Sequence, residues 1–541
     1  MAAAPTRLVH RIPVRLRHHW KPAALLCVGL AVLLVFFGDA RISPWVTSAS
    51  AEDSDTITEN IQGTVDLYDS TTSHSIQLEY DEDDFDEMAD SYVEDGSKEY
   101  IEADLTIDGT FVNSVGIRLK GNSTLRTLGS ASGQQGGANR QQGGANGGAP
   151  AGGAGGGMGG GGMTSVQLSW EKPEELPWLI KIDEYVEGRA YQGERQIAVR
   201  PGSNAGLPLN EAVSLALVDE SDQAAQRYSF STVKTNNRPA ATRLIVENPS
   251  KEYAENTVGT DGVLYKSLST GSFTYQGDDP TEYETDFKQL TKEGSQDIQP
   301  VIDLIKWAEE ATDKEFADEL DEHVDVKSFA RYVATQNLLL NFDDMSGPGK
   351  NYYLWYDLDT EKFSVLGWDY NLTFSGDAAT GPDDAIGMGG GGGMRGGAAQ
   401  GGDAAEPGGT QGAPEGMPSG MPSGMPSGMP QGGDAGMPGA QQGGQDGARQ
   451  GGAGGGMSSG HKLKERFLEL DAFDDVYHEA YQDLYEEFFG SGFALDALDG
   501  IVAKAKDAGA DATGLDEAAK SLRTTITSRT ESLAKDEVIT G

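Results

Sequence analysis

Cysteine is almost absent from this chain: the one present, Cys27, lies inside a hydrophobic run. That excludes an intramolecular disulfide and leaves no cysteine-based metal site or nucleophile in the part that follows. Positive charge is scarce as well. Against 85 acidic residues stand 41 lysines and arginines, for a formal net charge of -44 in 541 residues. A nucleic-acid partner is not expected, because a polyanion would be repelled and no basic stripe interrupts the acidic part. There is no Gly-x-x-x-x-Gly-Lys phosphate loop. The acidic run Asp81 to Asp84 lacks the sixth-position glycine and twelfth-position glutamate of an EF-hand, so it reads as the cap and solvated face of a helix.

Long apolar runs are confined to the N-terminus. Arg7, Arg11, Arg15, Arg17 and Lys21 precede an uncharged stretch from Pro22 to Gly38, about 17 residues, the lower limit for crossing a bilayer and long for a signal-peptide core. The basic flank should stay cytoplasmic, which puts the rest outside a cell membrane as a single-pass protein, or secreted if the segment is cleaved. Ala49-Ser50-Ala51 has the small-x-small form of a cleavage site but lies far past the apolar run, which favours an uncleaved anchor. Cys27 sits within the run and not after it, which argues against a lipoprotein.

Glycine, by contrast, is abundant. Most of the 74 glycines fall in two tracts, about 129–162 and 376–460, the second with a Met-Pro-Ser-Gly unit repeating from Met417. Such sequence cannot bury enough apolar surface to offset chain entropy, and both tracts are expected to be disordered inserts. The remainder divides into a basic flank (1–21), an anchor or signal segment (22–38), N-terminal strands (52–128), a core (163–375) and C-terminal helices (461–541). Together these make one two-lobed unit of α+β class.

Within it, Ile76, Leu78 and Tyr80 alternate as a strand, and Phe85, Met88 and Tyr92 recur at helical spacing. Val115, Ile117 and Leu119 share a strand face opposite Arg118 and Lys120. That strand ends in Lys120-Gly121-Asn122-Ser123-Thr124, a turn whose amides could approach phosphate or simply close a hairpin. Trp178 to Asp183 reads as a strand with Lys181 at its centre, the position type from which a lysine reaches phosphates, or else a snorkelling surface lysine. Arg243 to Pro249 is another strand, with Glu247 a candidate partner for Lys181. Asn210 to Val218 reads as a helix, and a further helix starting near Asp325 carries Phe329, Tyr332, Val333, Gln336 and Leu340.

That helix delivers the chain to its most informative stretch, Asn341 to Phe374. Asp343 and Asp344 precede a Ser-Gly-Pro-Gly turn; Tyr352 to Asp357 alternates as a strand; Phe363 to Leu366 returns through the Asp359-Thr360 turn and leads to Trp368-Asp369-Tyr370-Asn371. The hairpin brings its two ends together, so Asp343, Asp344, Asn351, Asp369 and Asn371 can converge as hard oxygen ligands. This suits Mg²⁺ or Mn²⁺ shared with phosphate. The same residues are also ordinary turn formers, and composition alone leaves both readings open.

Asn341-Phe-Asp-Asp, Gly-Pro-Gly-Lys-Asn-Tyr-Tyr-Leu-Trp-Tyr-Asp and Gly-Trp-Asp-Tyr-Asn-Leu-Thr-Phe together resemble the signature of the spore-coat protein H (CotH) kinase family, and the Arg-x-Lys-Gly-x-Ser segment from Arg118 resembles its N-terminal hallmark. The resemblance implies a divergent, two-lobed protein-kinase-like fold. It implies transfer of phosphate from ATP to protein Ser or Thr hydroxyls, with Asp343 or Asp344 as base and Asn351, Asp369 and secondarily Asn371 on the metal. Lys120, Ser123, Lys181 and Glu247 would be at the nucleotide. One departure is that many relatives have Asp-x-Asp where this chain has Asp369-Tyr370-Asn371, which lowers the charge available to a metal. The alternatives are a non-catalytic surface scaffold or adhesin binding a cation or glycan, and a metal-dependent hydrolase using the same carboxylates.

Overall fold

Alternating apolar residues account for most of the first half of the fold. A computed structural model describes residues 56–121, 124–125, 128, 168–203, 206–386 and 460–541. The apolar run at 22–38, Ser123, the first glycine tract and most of the second lie outside the described residues.

A short strand β1 (Glu59–Ile61) precedes β2 (His74–Tyr80), helix α1 (Glu82–Asp95), β3 (Ile101–Ile107) and β4 (Thr110–Leu119). After the first insert come β5 (Trp178–Lys181), β6 (Arg189–Tyr191), β7 (Gln196–Val199), helix α2 (Leu209–Glu220), β8 (Tyr228–Thr235) and β9 (Ala241–Glu247). Seven of these strands close into a barrel in the order β2-β3-β4-β5-β7-β9-β8. Closure comes from parallel pairing of β2 with β8, His74 opposite Ser231. The barrel is filled by Ile76, Leu78, Leu105, Ile117, Leu119, Trp178, Ile180, Ile197, Val233 and Ile245, each fully buried aliphatic side chain worth ~1.5–3 kcal/mol. Thus the strands expected at 52–128 and those after the insert form one closed sheet, and the boundary drawn at the insert is not a boundary of the barrel. Asp81 caps α1 as its acidic start predicts, accepting from the Asp83 N–H.

The second half joins a small sheet to helices. Helix α3 (Lys251–Thr257) leads to β10 (Gly262–Ser267) and β11 (Phe287–Gln289); helices α4 (Gln299–Glu310), α5 (Asp313–His323) and α6 (Val326–Leu338) follow, then β12 (Tyr352–Asp357) and β13 (Lys362–Gly367). The sheet runs β11-β10-β12-β13. The hairpin falls where the sequence places it, with Asp357 accepting from the amides of Asp359 and Thr360 at the turn. Both faces of β12 are buried: Tyr352 and Leu354 meet the helical core, Tyr353 and Trp355 a smaller cluster with Tyr253, Leu366 and Trp368. Beyond the second insert, α7 (Lys462–Glu469), α8 (Asp474–Tyr485), α9 (Phe493–Asp507), α10 (Ala512–Leu533) and the short α11 (Glu537–Thr540) complete the helical core. Helix α9 packs on α2, tying this region to the barrel's inserted helix.

The second insert begins later than its composition suggests. Buried Arg529 donates to the carbonyls of Ala378 and Thr380, Asn337 Nδ2 to those of Gly381 and Pro382, and Tyr477 Oη to Pro382. These polar side chains hold the backbone of 378–382, a stretch in which Pro382 is also buried. Among the described residues no helix is long and apolar enough to cross a membrane.

Candidate functional site

Helix α6 and the β12–β13 hairpin place the acidic residues. At the end of α6 the Asn341 amide donates to Gln336 Oε1 at 2.8 Å and its Oδ1 accepts from the Asp343 N–H at 3.2 Å, while the Met345 N–H donates to Tyr332 Oη. Asp343 is buried. Its Oδ1 accepts from the Gly349 N–H at 2.5 Å and its Oδ2 from Asn351 Nδ2 at 3.0 Å. Burial, with added repulsion from Asp369 and Asp344, pushes the Asp343 carboxyl up to about 6 despite those two hydrogen bonds. Asp344 is engaged differently: one oxygen accepts from the Ser346 N–H and the other is paired with Lys464 of α7. Glycine is required in this turn. A Cβ on Gly349 would stand 2.6 Å from Asp343 Oδ2 and 2.7 Å from Asn351 Nδ2, and one on Gly347 2.4 Å from the Asp343 Cα.

Across the hairpin, Asp369 has φ of +60°, and Leu340, Lys350 and Phe374, which flank the two motifs, have positive φ values of 51°, 51° and 57°. Non-glycine residues there cost ~1–3 kcal/mol each, and such conformations gather at sites the surrounding structure over-determines. The loop after Asp369 is pinned to α2: Asn210 Nδ2 donates to the Asn371 carbonyl at 2.6 Å, and the Ser214 and Thr373 hydroxyls are 2.8 Å apart. The Asn371 backbone oxygen is thus taken up by α2.

Helix α2 also carries Glu211, buried and paired with Arg200, the residue that follows β7; Arg200 reaches Asp369 Oδ1 at 3.0 Å. Burial raises the Glu211 carboxyl and Asp369 raises it further, with Arg200 opposing. Burial works against the charge on Arg200, but Glu211 and Asp369 more than offset it. Glu211 Oε2 and Arg200 Nε are buried without a hydrogen-bond partner, a state that ordinarily costs free energy, and Asp369 Oδ1, also buried, has the Arg200 ion pair but no well-aligned hydrogen bond.

A group of cations faces this cluster. Lys120, at the end of β4, donates to Asn248 Oδ1 at 2.5 Å. Its ammonium lies 5.2 Å from the Trp368 ring centre and the Arg200 guanidinium 4.9 Å from it. Burial, and repulsion from Lys266, Arg200 and Arg118, hold Lys120 well below the usual lysine range, with Asp369 only partly compensating. Lys266 of β10 is lowered for the same reasons. Four cations thus share few anions, a site deficient in negative charge.

The hairpin therefore brings Asp343, Asn351 and Asp369 together with Lys120. Lys181 and Glu247 are not part of this grouping. Lys181 pairs with Glu184 at 2.8 Å on the outer face of β5, and Glu247 binds Arg227 at 2.6 Å, so their expected pairing is not formed. Ser123 lies outside the described residues. Sequence reading missed Arg200, Glu211 and Lys266. The signal for Glu211 was a carboxylate in the first turn of a helix, directly ahead of the apolar Ala212, Val213 and Ala216, whereas Asp219 and Glu220 close its far end.

Among the described residues no group of three or more His, Cys, Asp or Glu is arranged to hold a metal ion. Two carboxylates and one amide nevertheless suit a hard cation that keeps water and substrate phosphate as further ligands, and Asp369 Oδ1, 3.0 Å from Arg200, would reach such a cation by giving up that contact.

A family model described as CotH kinase protein matches residues 169–511, well over half of the chain and every acidic residue above. The chain belongs to the CotH kinase protein family. The match starts after Arg118 and Lys120, so that strand lies outside it. The Inner spore coat protein H of Bacillus subtilis (strain 168) is 24% identical over 200 residues, which is 36% of this chain and 54% of the relative. The chain thus spans about half the length of the curated relative it matches.

Proposed function

We propose that this CotH-family chain is a phosphotransferase that moves the terminal phosphate of ATP to a Ser or Thr hydroxyl of a protein. The observation that carries the reading is the juxtaposition of a buried carboxylate of raised pKa, Asp343, with Asp369 and a surplus of buried and half-buried cations. The order of parts supports it. A strand-end cation (Arg200) pairs with a helix glutamate (Glu211); a loop supplies an aspartate and an asparagine (Asp343, Asn351); a hairpin follows, then a second aspartate (Asp369). Protein kinases run through the same sequence of roles, with lysine at the first position. On this reading the barrel and the helical half are the two lobes of a divergent kinase-like fold.

Asp343 accepts the proton of the acceptor hydroxyl as its oxygen attacks the γ-phosphorus, the bond to the bridging oxygen breaks and ADP leaves. Asp344, whose charge is already paired with Lys464, shapes the loop. Lys120, Lys266 and Arg200 offset phosphate charge, and Glu211 holds Arg200 in place. Asp369 and Asn351 would hold a Mg²⁺ or Mn²⁺ ion, with Asn371, close behind Asp369 in the chain, as a secondary candidate, and the ion would supply positive charge against the phosphates. Lys181 and Glu247 have no part in it.

The basic flank, the apolar run and a relative named for a spore coat together support a place outside the cytoplasm, on the membrane or secreted. The test of function is incubation of the full-length protein with labelled ATP and Mg²⁺ or Mn²⁺, followed by detection of self-phosphorylation and of phosphate on a generic acceptor protein. Incorporation that Lys120→Met abolishes is expected; its absence with both metals favours the scaffold.

A further inference from the structure

Away from the acidic loops, a cavity of about 230 Å³ opens beside the barrel between the segment preceding β2 and the start of β8, lined by Gln62, Thr64, Asp66, Tyr68, Glu194 and Arg227 among others. None of these residues belongs to the site above. Arg227 Nη2 contacts Glu194 Oε1 at 2.5 Å and Glu247 Oε1 at 2.6 Å, so one guanidinium nitrogen serves two carboxylates, and the guanidinium lies 4.7 Å over the Tyr68 ring. Glu194 is 3% exposed and Tyr68 8%, yet Glu194 Oε2 and Tyr68 Oη have no hydrogen-bond partner. Two residues that line one cavity thus each carry a buried polar atom left unsatisfied, in a protein interior where such groups are normally paired.

The charges decide what could satisfy them. Asp66, Glu194 and Glu247 face one arginine, an excess of negative charge, and burial together with Glu247 pushes the Glu194 carboxyl up to about 7. An anion would add to that excess, and a neutral polyol would leave it in place. A bare metal ion is a poor fit too: the cavity is far larger than an ion, and among the described residues no three carboxylate, histidine or cysteine groups are placed to bind one. A primary ammonium has the required positive charge and three N–H donors for a carboxylate and a phenolic oxygen. We propose that this cavity is a binding site for a small organic cation bearing a primary ammonium group, held by Glu194 and Tyr68 with Asp66 at the rim.

Calorimetric titration of the full-length protein with 1,4-diaminobutane, at about pH 8 where amines of this kind stay charged, tests the proposal. Tetramethylammonium, which has no N–H donor, 1,4-butanediol, which has no charge, and calcium chloride serve as comparisons. One equivalent of diamine should bind, with the first two comparisons at least roughly ten-fold weaker, since hydrogen bonds to charged groups are worth about that much. Glu194→Gln and Tyr68→Phe keep the side-chain shapes and should each weaken the diamine by roughly ten-fold. Should Glu194→Gln fail to fold, Tyr68→Phe, which removes only a hydroxyl without a partner, carries the test. Absence of diamine binding, equal binding of the diol, calcium binding that the same variants abolish, or affinity unchanged in the folded variants would each overturn the proposal.

Discussion

Replacing Asp343 by asparagine should change stability in a way that depends on pH. In the fold its carboxyl is raised from 3.8 to about 6, chiefly by burial. The folded state therefore holds its proton where the unfolded chain has released it. Stability contributed by this group is present at low pH and is lost as pH rises through the window from the unfolded value of about 3.9 to about 6. Two units at 1.36 kcal/mol each set a ceiling of roughly 3 kcal/mol on that loss. Asparagine escapes it but offers a single oxygen to the Gly349 amide and the Asn351 side chain, a penalty of about 1 kcal/mol at all pH values. Denaturant unfolding of the full-length wild type and Asp343→Asn should show the variant more stable by ~1–2 kcal/mol near pH 8 and less stable by about 1 kcal/mol near pH 4. A difference that does not change with pH would refute the reasoning. The same ionisation predicts wild-type phosphotransfer that rises through about pH 6, and a variant slower by ~10²–10⁴-fold, the usual worth of a general base.

Lys120→Met should abolish ATP binding measured by calorimetry, whereas Lys181→Ala should leave it intact and change stability by less than ~1 kcal/mol, because Lys181 forms only a partly exposed pair with Glu184. Gly349→Ala should lower turnover by at least ten-fold, since its Cβ would displace both Asp343 and Asn351; kinetics with unchanged helical circular dichroism would confirm a local effect. Arg529→Met should cost roughly 3–5 kcal/mol in denaturant unfolding, because the Ala378 and Thr380 carbonyls and Asn337 would lose a buried donor.

Local pattern made some of this legible in the sequence. The alternation at Tyr352 to Asp357, the turn chemistry at Asp359-Thr360 and the acidic cap of α1 are short-range signals, and each is present as read. Barrel closure was not legible, because β2 meets β8 across more than a hundred residues and no local period reports a parallel pairing of that span. Lys181 misled for a related reason: it is the last residue of β5 and not at its centre, and a strand has two faces, so its side chain points to whichever face the barrel's closure puts outside. Arg200 and Glu211 escaped notice because their meaning arises only when the end of β7 and the start of α2 come together. The docking of 378–384 was hidden by composition, since its partners are Arg529, Asn337 and Tyr477, none of them adjacent in sequence.

The central claim is that Asp369 and Asn351, with the cations around Trp368, receive a metal-bound nucleotide whose phosphate is transferred. Calorimetric titration of the full-length protein with ATP in the presence of Mg²⁺ or Mn²⁺, run in parallel for wild type and Asp369→Asn, tests it most directly. The account predicts metal-dependent, one-to-one binding by wild type and its loss in a variant that melts like wild type. Absence of ATP binding by folded wild-type protein with either metal, or equal binding by the variant, would contradict it.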